Sequence, residues 1–212
     1  MFDIEYKGGN SVKISTKKVD FVFDPKLSMF GLKDVSVKEA VELVTEERFS
    51  VQDDASKLLI NGPGEYEVAE VSIRGTRALR HLDSPEAEPL STIYRLEIAD
   101  VRIAVLGNIA PKLSDEQLES IGVVDILVVP VGGNGYTLDS VSASTIARQI
   151  DPKVVIPVHF AVSGIKYEVP QDEVGIFVKE IAAPVEDAGL KYKIKSSSSI
   201  PQTLTVVTID RS

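Results

Sequence analysis

The sequence predicts an α/β protein in which two β-sheets pack face to face and helices cover the later elements. In the first half, short runs of partly alternating apolar and polar residues lie between turn signals, which is typical of strands. In the second half, helical periodicity alternates with continuous apolar runs, which is typical of helices and buried strands. We expect a single domain over residues 1–212, since this length suits one core.

The first half of the chain is predicted to consist of strands. Gly8-Gly9-Asn10 separates the first two strands, and Asn61-Gly-Pro-Gly64 is a strong turn signal. Asp24-Pro25 ends the third strand, because proline cannot continue a central ladder. The predicted strands are residues 2–6, 11–16, 19–23, 41–45, 57–60, 66–73, 92–98 and 102–106.

The second half is predicted to mix helices with buried strands. Residues 114–121 should form a short helix, because Ser114 can cap its N-terminus and Gly122 can end it. Residues 139–150 should form a second helix, with its apolar side chains on one stripe. The remaining predicted elements are buried strands at 125–131 and 154–158, a mostly helical stretch at 171–188 broken near Pro184, and strands at 191–194 and 204–209.

The composition limits the classes of function. There is no cysteine, which excludes disulfides, thiolate metal sites and cysteine nucleophiles. A formal net charge of −9 argues against a broad nucleic-acid-binding surface, since phosphate binding needs clustered Lys and Arg. No apolar run is long enough to span a membrane, and the N-terminus has no basic head before an apolar block. We therefore expect a cytoplasmic protein that binds neither nucleic acid nor membrane.

Three stretches of the chain are specific enough to suggest a family. They are Gly62-Pro-Gly-Glu-Tyr-Glu-Val68, the run Asp125-Ile-Leu-Val-Val-Pro-Val-Gly-Gly133 followed by Tyr136-Thr137, and Pro152-Lys-Val-Val-Ile-Pro-Val-His-Phe160. On these motifs the chain resembles the metallo-β-lactamase fold superfamily, close to the branch that includes ascorbate 6-phosphate lactonase-like hydrolases. The resemblance covers residues 4 to about 209 and implies a four-layer αβ/βα sandwich with a divalent metal site at one edge of the two sheets.

The resemblance also implies a metal-binding signature, Thr/Ser-His-x-His-x-Asp-His, directly after the strand at 41–45. The sequence at that place is Thr45-Glu-Glu-Arg-Phe-Ser-Val51. Glu46, Arg48, Ser50 and Val51 stand where the three histidines and the aspartate are expected. Valine cannot bind a metal and arginine repels a cation, so the signature is absent.

The other ligand positions that the resemblance implies are also altered. An early Gly-His-Ser turn here carries Asn10, and the bridging aspartate is replaced by Asn108. In the third-ligand loop, Arg80 or His81 occupies the slot, depending on the register, and only His159 clearly matches its family position. The candidates for a remnant site are therefore His159, Asn108, Glu46, Arg48 and Asp83, and the candidate metal ligands are His159 and His81.

Two classes of function follow from this mismatch. The leading hypothesis is a catalytically inactive protein that keeps the scaffold and serves as a binding or assembly module. The alternative is a divergent metal-dependent hydrolase of a lactone or phosphoester, in which His159 and His81 with Asp83, Asn108 or Glu46 activate a water at a mononuclear site. The two can be distinguished by geometry: a guanidinium of Arg48 or Arg80 paired with Glu46 or Asp83 would exclude a cation.

The cofactor and partners follow from the same two hypotheses. We expect no cofactor, or zinc or another divalent metal if the site has been rebuilt. The pairs Glu46-Glu47 and Asp53-Asp54 offer oxygen ligands that Mg²⁺ or Ca²⁺ would accept, although acidic pairs in loops are usually solvated. As a binding module, the protein would take a protein partner or a small anionic ligand, and a homo-oligomer is a further interpretation.

Overall fold

The computed structural model of the protein describes residues 1–51, 55–81 and 90–212. Its first half consists of strands. In chain order they are β1 (Phe2–Gly8), β2 (Ser11–Ser15), β3 (Asp20–Phe23), β4 (Val41–Val44), β5 (Leu58–Asn61), β6 (Gly64–Val68), β7 (Val71–Leu79), β8 (Leu90–Ile98) and β9 (Val101–Val105).

The second half alternates helices with strands. In chain order its elements are α1 (Asp115–Ile121), β10 (Ile126–Pro130), α2 (Ser140–Ile150), β11 (Val154–Val158), α3 (Val174–Ile181), β12 (Val185–Asp187), β13 (Tyr192–Ile194) and β14 (Thr205–Thr208). The strands form two sheets. The first sheet has the order β13-β1-β2-β3-β4-β5, and the second has the order β12-β14-β11-β10-β9-β8-β7-β6.

The two sheets pack face to face around the main hydrophobic core. Alternate residues of the first sheet, such as Ile4, Ile14 and Leu43, point into this core, where they meet Leu96 and Ile156 from the second sheet. Burying apolar area of this kind is the main favourable contribution to folding. The predicted architecture of two face-to-face sheets is therefore present.

The three α-helices cover the outer face of the second sheet. Ala143, Ile146 and Phe177 of these helices pack against Leu127 and Val155 of the sheet in a second buried cluster. The N-termini of α1 and α2 have side-chain caps. The side chain of Asp139, for example, accepts a hydrogen bond from the Ser142 backbone N–H at 2.7 Å and so caps α2.

The outer face of the first sheet is covered differently. At its β4 end, Leu27 and Phe30 pack with Val44 and Phe49 in a small apolar cluster. Two short 3₁₀ turns, Ser28–Phe30 and Glu47–Phe49, carry part of that cluster. On this face, within the residues that the structure describes, the outer layer is built from 3₁₀ turns and loops where the four-layer prediction places helices.

Two predicted elements differ from the structure. The strand predicted at 66–73 is a hairpin, because Ala69 and Glu70 adopt φ values of 52° and 66° and reverse the chain between β6 and β7. The helix predicted over 171–188 is limited to Val174–Ile181, because Ala182 adopts a left-handed conformation at its C-terminus. The residues after it form β12, which pairs with β14.

The fold brings several chain segments to one edge of the two sheets. β4 and β7 end there, as do β9 and β11, and the turn between β1 and β2 reaches the same place. The segments after these elements carry Glu46, Arg80, Asn108 and His159, while the turn carries Asn10. This edge is therefore where the candidate site residues can meet. In the part of the chain that the structure describes, no helix is both long and apolar enough to cross a membrane.

Candidate functional site

His159 lies at the buried centre of the site. It follows β11 with a φ of 49°, and its side chain is fully buried. The ring lies among three aromatic rings, with centroid distances of 4.9 Å to Tyr167, 5.2 Å to Tyr136 and 5.6 Å to Phe30. The backbone N–H of His159 donates to the Gly9 carbonyl at 2.8 Å, which holds the residue against the β1–β2 turn.

A chain of hydrogen bonds sets the tautomer of His159. The Asn10 side chain donates through Nδ2 to Asn108 Oδ1 at 3.1 Å, so its Oδ1 faces His159 Nδ1 at 3.0 Å. Because Asn10 Oδ1 can only accept, Nδ1 carries the imidazole proton and Nε2 presents a lone pair. Nε2 is buried, as is Asn108 Nδ2, and neither atom has a hydrogen-bond partner among the described residues.

His159 is neutral at physiological pH. Burial, with a smaller contribution from the charge of Arg48, lowers the pKa of His159 from 6.5 to about 3. A neutral imidazole with a free Nε2 is the form that binds a metal. What a metal site needs in addition is further ligands at the same point.

Glu46 and two arginines form an ion cluster at this edge, which we call the Glu46 cluster and define as Glu46, Arg48 and Arg80. Glu46 Oε2 lies 2.8 Å from Arg48 Nε and 3.2 Å from Arg80 Nη1. The side chains of Glu46 and Arg80 are only 5% and 3% exposed. Burial raises the pKa of Glu46, and the two guanidinium groups oppose that shift.

The guanidinium of Arg48 is held by more than its carboxylate partner. It lies 4.9 Å from the ring centroid of Phe49 and 5.5 Å from that of Tyr136. Contacts of this kind between a cation and an aromatic face are attractive and limit the rotamers of the arginine. Through Tyr136, which also contacts His159, the Glu46 cluster adjoins the imidazole.

Asp24 supports the loop that carries Glu46. Its carboxylate accepts hydrogen bonds from both the backbone N–H and the hydroxyl of Thr45, each at 2.7 Å. Burial raises the pKa of Asp24 from 3.8 to about 7, while the Thr45 hydrogen bonds oppose this shift. Through these two hydrogen bonds, Asp24 holds Thr45, the first residue of the Thr45–Arg48 segment, in place.

The side chains present do not fit a metal ion. Within residues 1–51, 55–81 and 90–212, no group of three or more His, Asp or Glu side chains is arranged to hold one. Asn10 and Asn108 are amides, which are poor substitutes for an imidazole and a bridging carboxylate. Glu46 is engaged by two guanidinium groups, a geometry that disfavours a further cation at the same carboxylate.

The structure sorts the residues singled out in the sequence. It brings together His159, Asn108 and Asn10, and separately Glu46, Arg48 and Arg80. Arg80, not His81, contributes its side chain to the Glu46 cluster, whereas the backbone N–H of His81 donates to the Asn108 carbonyl at 2.8 Å. Asp83, Asp53 and Asp54 lie outside the described residues.

Sequence reasoning missed the aromatic wall around His159 and the role of Asp24. Tyr136 lies in a motif that carried the family resemblance, but nothing marked it as a neighbour of His159. Tyr167 and Phe30 come from loops without periodic signals, so their contacts with the imidazole could not be predicted. Asp24 was interpreted only as the end of a strand, although its carboxylate anchors Thr45.

A cavity of about 350 Å³ opens beside the Glu46 cluster. Glu46, Arg48 and Arg80 line one side, and the turn at Asn61–Pro63 lines part of the other. His159 and Asn108 do not line this cavity, and each is fully buried. The imidazole of His159 is thus shielded from the cavity. Arg48 is partly exposed there, whereas Glu46 and Arg80 line the cavity from nearly buried positions.

The chain resembles proteins of one fold in solved structures. A metallo-β-lactamase superfamily protein from Thermotoga maritima aligns with a TM-score of 0.76 at 22% identity, covering 99% of this chain and 100% of that one. Igni18, a metallo hydrolase from Ignicoccus hospitalis, aligns with a TM-score of 0.63 at 17% identity, covering 85% and 90%. CmlA, a diiron β-hydroxylase from Streptomyces venezuelae, aligns with a TM-score of 0.63 at 11% identity, covering 85% and 51%.

These likenesses confirm the predicted fold class, and at such identities they show the fold alone. A comparison with curated proteins finds no match. The family described as "Beta-lactamase superfamily domain" matches residues 3–159, more than half of the chain and ending at His159. The chain therefore belongs to the β-lactamase superfamily, with the metallo-β-lactamase fold.

Proposed function

We propose that this protein is a non-catalytic member of its superfamily that serves as a binding or assembly module. The observation that carries the proposal is the Glu46 cluster. Two guanidinium groups surround the Glu46 carboxylate in the segment where the metal-binding signature is expected. A cation bound there would have to displace both arginines from a buried carboxylate.

The surroundings of His159 support the same proposal. Its ring is packed between aromatic side chains, and its Nδ1 is hydrogen-bonded to the side-chain amide oxygen of Asn10. The ring does not reach the cavity, so a substrate in that cavity would not meet the imidazole. The fold can persist without a metal at this edge, because the core between the two sheets is apolar and supplies most of the buried surface.

As a module, the protein would offer the cavity beside the Glu46 cluster and the loops around it. We expect a protein partner or a small anionic ligand there. The guanidinium of Arg48, which is 29% exposed, supports this expectation, while Glu46 and Glu47 also line the cavity. The finer likeness to ascorbate 6-phosphate lactonase-like hydrolases stays a prediction. It would give a small phosphorylated or carboxylated sugar as the first ligand to test.

The second candidate is a divergent metal-dependent hydrolase. One observation favours it: His159 presents a buried, neutral Nε2 with no hydrogen-bond partner among the described residues. An imidazole in this state could be the first ligand of a rebuilt mononuclear site. The likeness of the fold to a metallo hydrolase is compatible with this candidate but does not favour it.

Elemental analysis of protein purified without a polyhistidine tag tests the two candidates. The protein is dialysed against Zn²⁺, Mn²⁺ or Mg²⁺ and then against metal-free buffer, and its metal content is compared with that of a His159→Ala variant. We expect well below one equivalent of metal in both proteins, and no hydrolysis of lactones or phosphodiesters above the buffer rate. One equivalent that is lost in the variant, with metal-dependent hydrolysis, would establish the hydrolase instead.

A further inference from the structure

The Glu46 cluster joins the two sheets. Glu46 and Arg48 follow β4 of the first sheet, whereas Arg80 follows β7 of the second. The Glu46 carboxylate contacts both arginines, at 2.8 Å and 3.2 Å, so one side chain spans the edge between the sheets. Glu46 and Arg80 are 34 positions apart in the chain, and the contact is therefore a tertiary link.

Backbone contacts beside the Glu46 cluster mark the same edge as a joint between the sheets. The Thr92 N–H of β8 donates to the Thr45 carbonyl at 2.9 Å. The Glu46 cluster thus lies next to a backbone hydrogen bond that already joins the two sheets. The side chains of Glu46 and Arg80 are almost fully buried there. In such surroundings an ion pair is screened little by solvent.

We infer that the Glu46 cluster is a metal-free cross-link that replaces a bound cation as the connection between the two sheets. In a metal centre, neutral or anionic side chains converge on a central cation. Here the charges are reversed, and two cationic side chains from different sheets converge on a central carboxylate. All the groups are covalently part of the chain, so the link does not depend on a metal supply.

This inference goes beyond the proposed function, because it concerns what holds the edge together and not what the module binds. It has two consequences. The stability of the protein should be indifferent to chelators and to Zn²⁺. Removing the central carboxylate should cost stability, because Glu46 contacts both guanidinium groups in a nearly buried place, and an external anion should then offset part of that loss.

The test compares Glu46→Gln with Glu47→Gln by thermal unfolding in metal-free buffer. Glu47→Gln is the matched control, because it changes the net charge by the same amount at the next residue. The Glu47 side chain is exposed. We expect Glu46→Gln to lower the unfolding midpoint by about 10 °C and Glu47→Gln by about 1 °C or less. Sulfate should raise the midpoint of Glu46→Gln more than that of Glu47→Gln at matched ionic strength, whereas EDTA and Zn²⁺ should leave the wild type unchanged.

Arg48→Gln keeps the test decisive if Glu46→Gln does not fold. Arg48 is 29% exposed, and its loss leaves the Arg80–Glu46 pair intact, so an intermediate drop in the midpoint is expected. Equal midpoints for Glu46→Gln and Glu47→Gln, or stabilisation of the wild type by Zn²⁺ of several degrees, would overturn the cross-link. Hydrolysis by the metal-loaded protein would instead overturn the proposed function, so the two failures are distinguishable.

Discussion

His159 shows how burial, here with a smaller contribution from the charge of Arg48, can decide the charge of a residue. The unfolded chain protonates this imidazole below its ordinary pKa of 6.5, whereas the folded chain does so only near 3. A lowered folded-state pKa means that the full contribution to stability is present above pH 6.5 and is lost as the pH falls toward 3. The contribution lost between pH 7 and pH 4.5 should be about 2.5 kcal/mol.

The prediction can be tested with His159→Asn, because asparagine tolerates the left-handed backbone conformation at this position. We expect the difference in unfolding free energy between wild type and variant to shrink by about 2.5 kcal/mol as the pH falls from 7 to 4.5. Urea titrations at several pH values measure it. Asp24, whose raised pKa gives the opposite slope over part of this range, is present in both proteins and cancels in the difference. A pH-independent difference would contradict the burial argument.

The site was predictable from sequence only at the level of single residues. From Thr45–Val51 it could be predicted that the metal-binding signature implied by the resemblance is absent, and Asn10 and Asn108 could be predicted to stand at ligand positions of the family. Which residues meet could not be derived, because the contacts join distant segments. The pairing of Arg80 with Glu46 could be stated only as a condition, since the register between Arg80 and His81 was open.

Elements with local signals were predicted well, and α1 is the clearest case. Ser114 caps its N-terminus by accepting from the Gln117 N–H at 3.2 Å, and Gln117 Oε1 accepts from the Ser114 N–H at 2.8 Å. Gly122 ends the helix as predicted. The helix predicted for the stretch after α3 was wrong. That stretch forms β12, which is defined by its pairing with β14 some twenty residues later, and such a long-range pairing gives no local signal in the sequence.

Side chains of the second sheet also hydrogen-bond to the C-terminal end of α1. Arg74 of β7 donates to the Ser120 carbonyl at 3.3 Å, and Arg95 of β8 donates to the Val123 carbonyl at 3.4 Å. These two arginines are directly opposite each other in neighbouring strands, an arrangement that repels. Each guanidinium also pairs with a carboxylate, Arg74 with Glu65 at 2.8 Å and Arg95 with Glu97 at 3.1 Å. These ion pairs, together with the carbonyls at the C-terminal end of α1, offset that repulsion.

The cap of α1 gives a prediction at the element scale. Ser114→Ala removes the acceptor for the Gln117 N–H and should lower the unfolding free energy by about 1 kcal/mol. Ser163→Ala, in an exposed loop, serves as a control and should change it by less than about 0.5 kcal/mol. Urea unfolding monitored by circular dichroism measures both. Equal values for the two variants would mean that packing against the second sheet, and not the cap, defines the start of α1.

Across the whole molecule, Tyr94 connects the two sheets from the inside. It belongs to β8 of the second sheet, and its ring lies in the core between the sheets. Its hydroxyl accepts from the Gly62 N–H at 3.0 Å and lies 3.0 Å from the Val44 carbonyl of the first sheet, to which it can donate. If both sheets unfold as one cooperative unit, as a shared core implies, then weakening this contact should destabilise both equally.

Tyr94→Phe tests that expectation, because it removes one oxygen and leaves the ring in place. Gly62 loses its acceptor and Val44 its donor, so the unfolding free energy should fall by about 2 kcal/mol. Tyr66→Phe is the matched control, since the hydroxyl of the partly buried Tyr66 lies 3.3 Å from the Pro63 carbonyl of the same turn, in a contact that is exposed to solvent. Native-state hydrogen exchange reads the effect in each sheet separately. The slowest amides of β3 and of β10 should both lose protection by the same factor in Tyr94→Phe. A loss confined to one sheet would mean that the two sheets open independently, and the chain would then behave as two units joined at their edge.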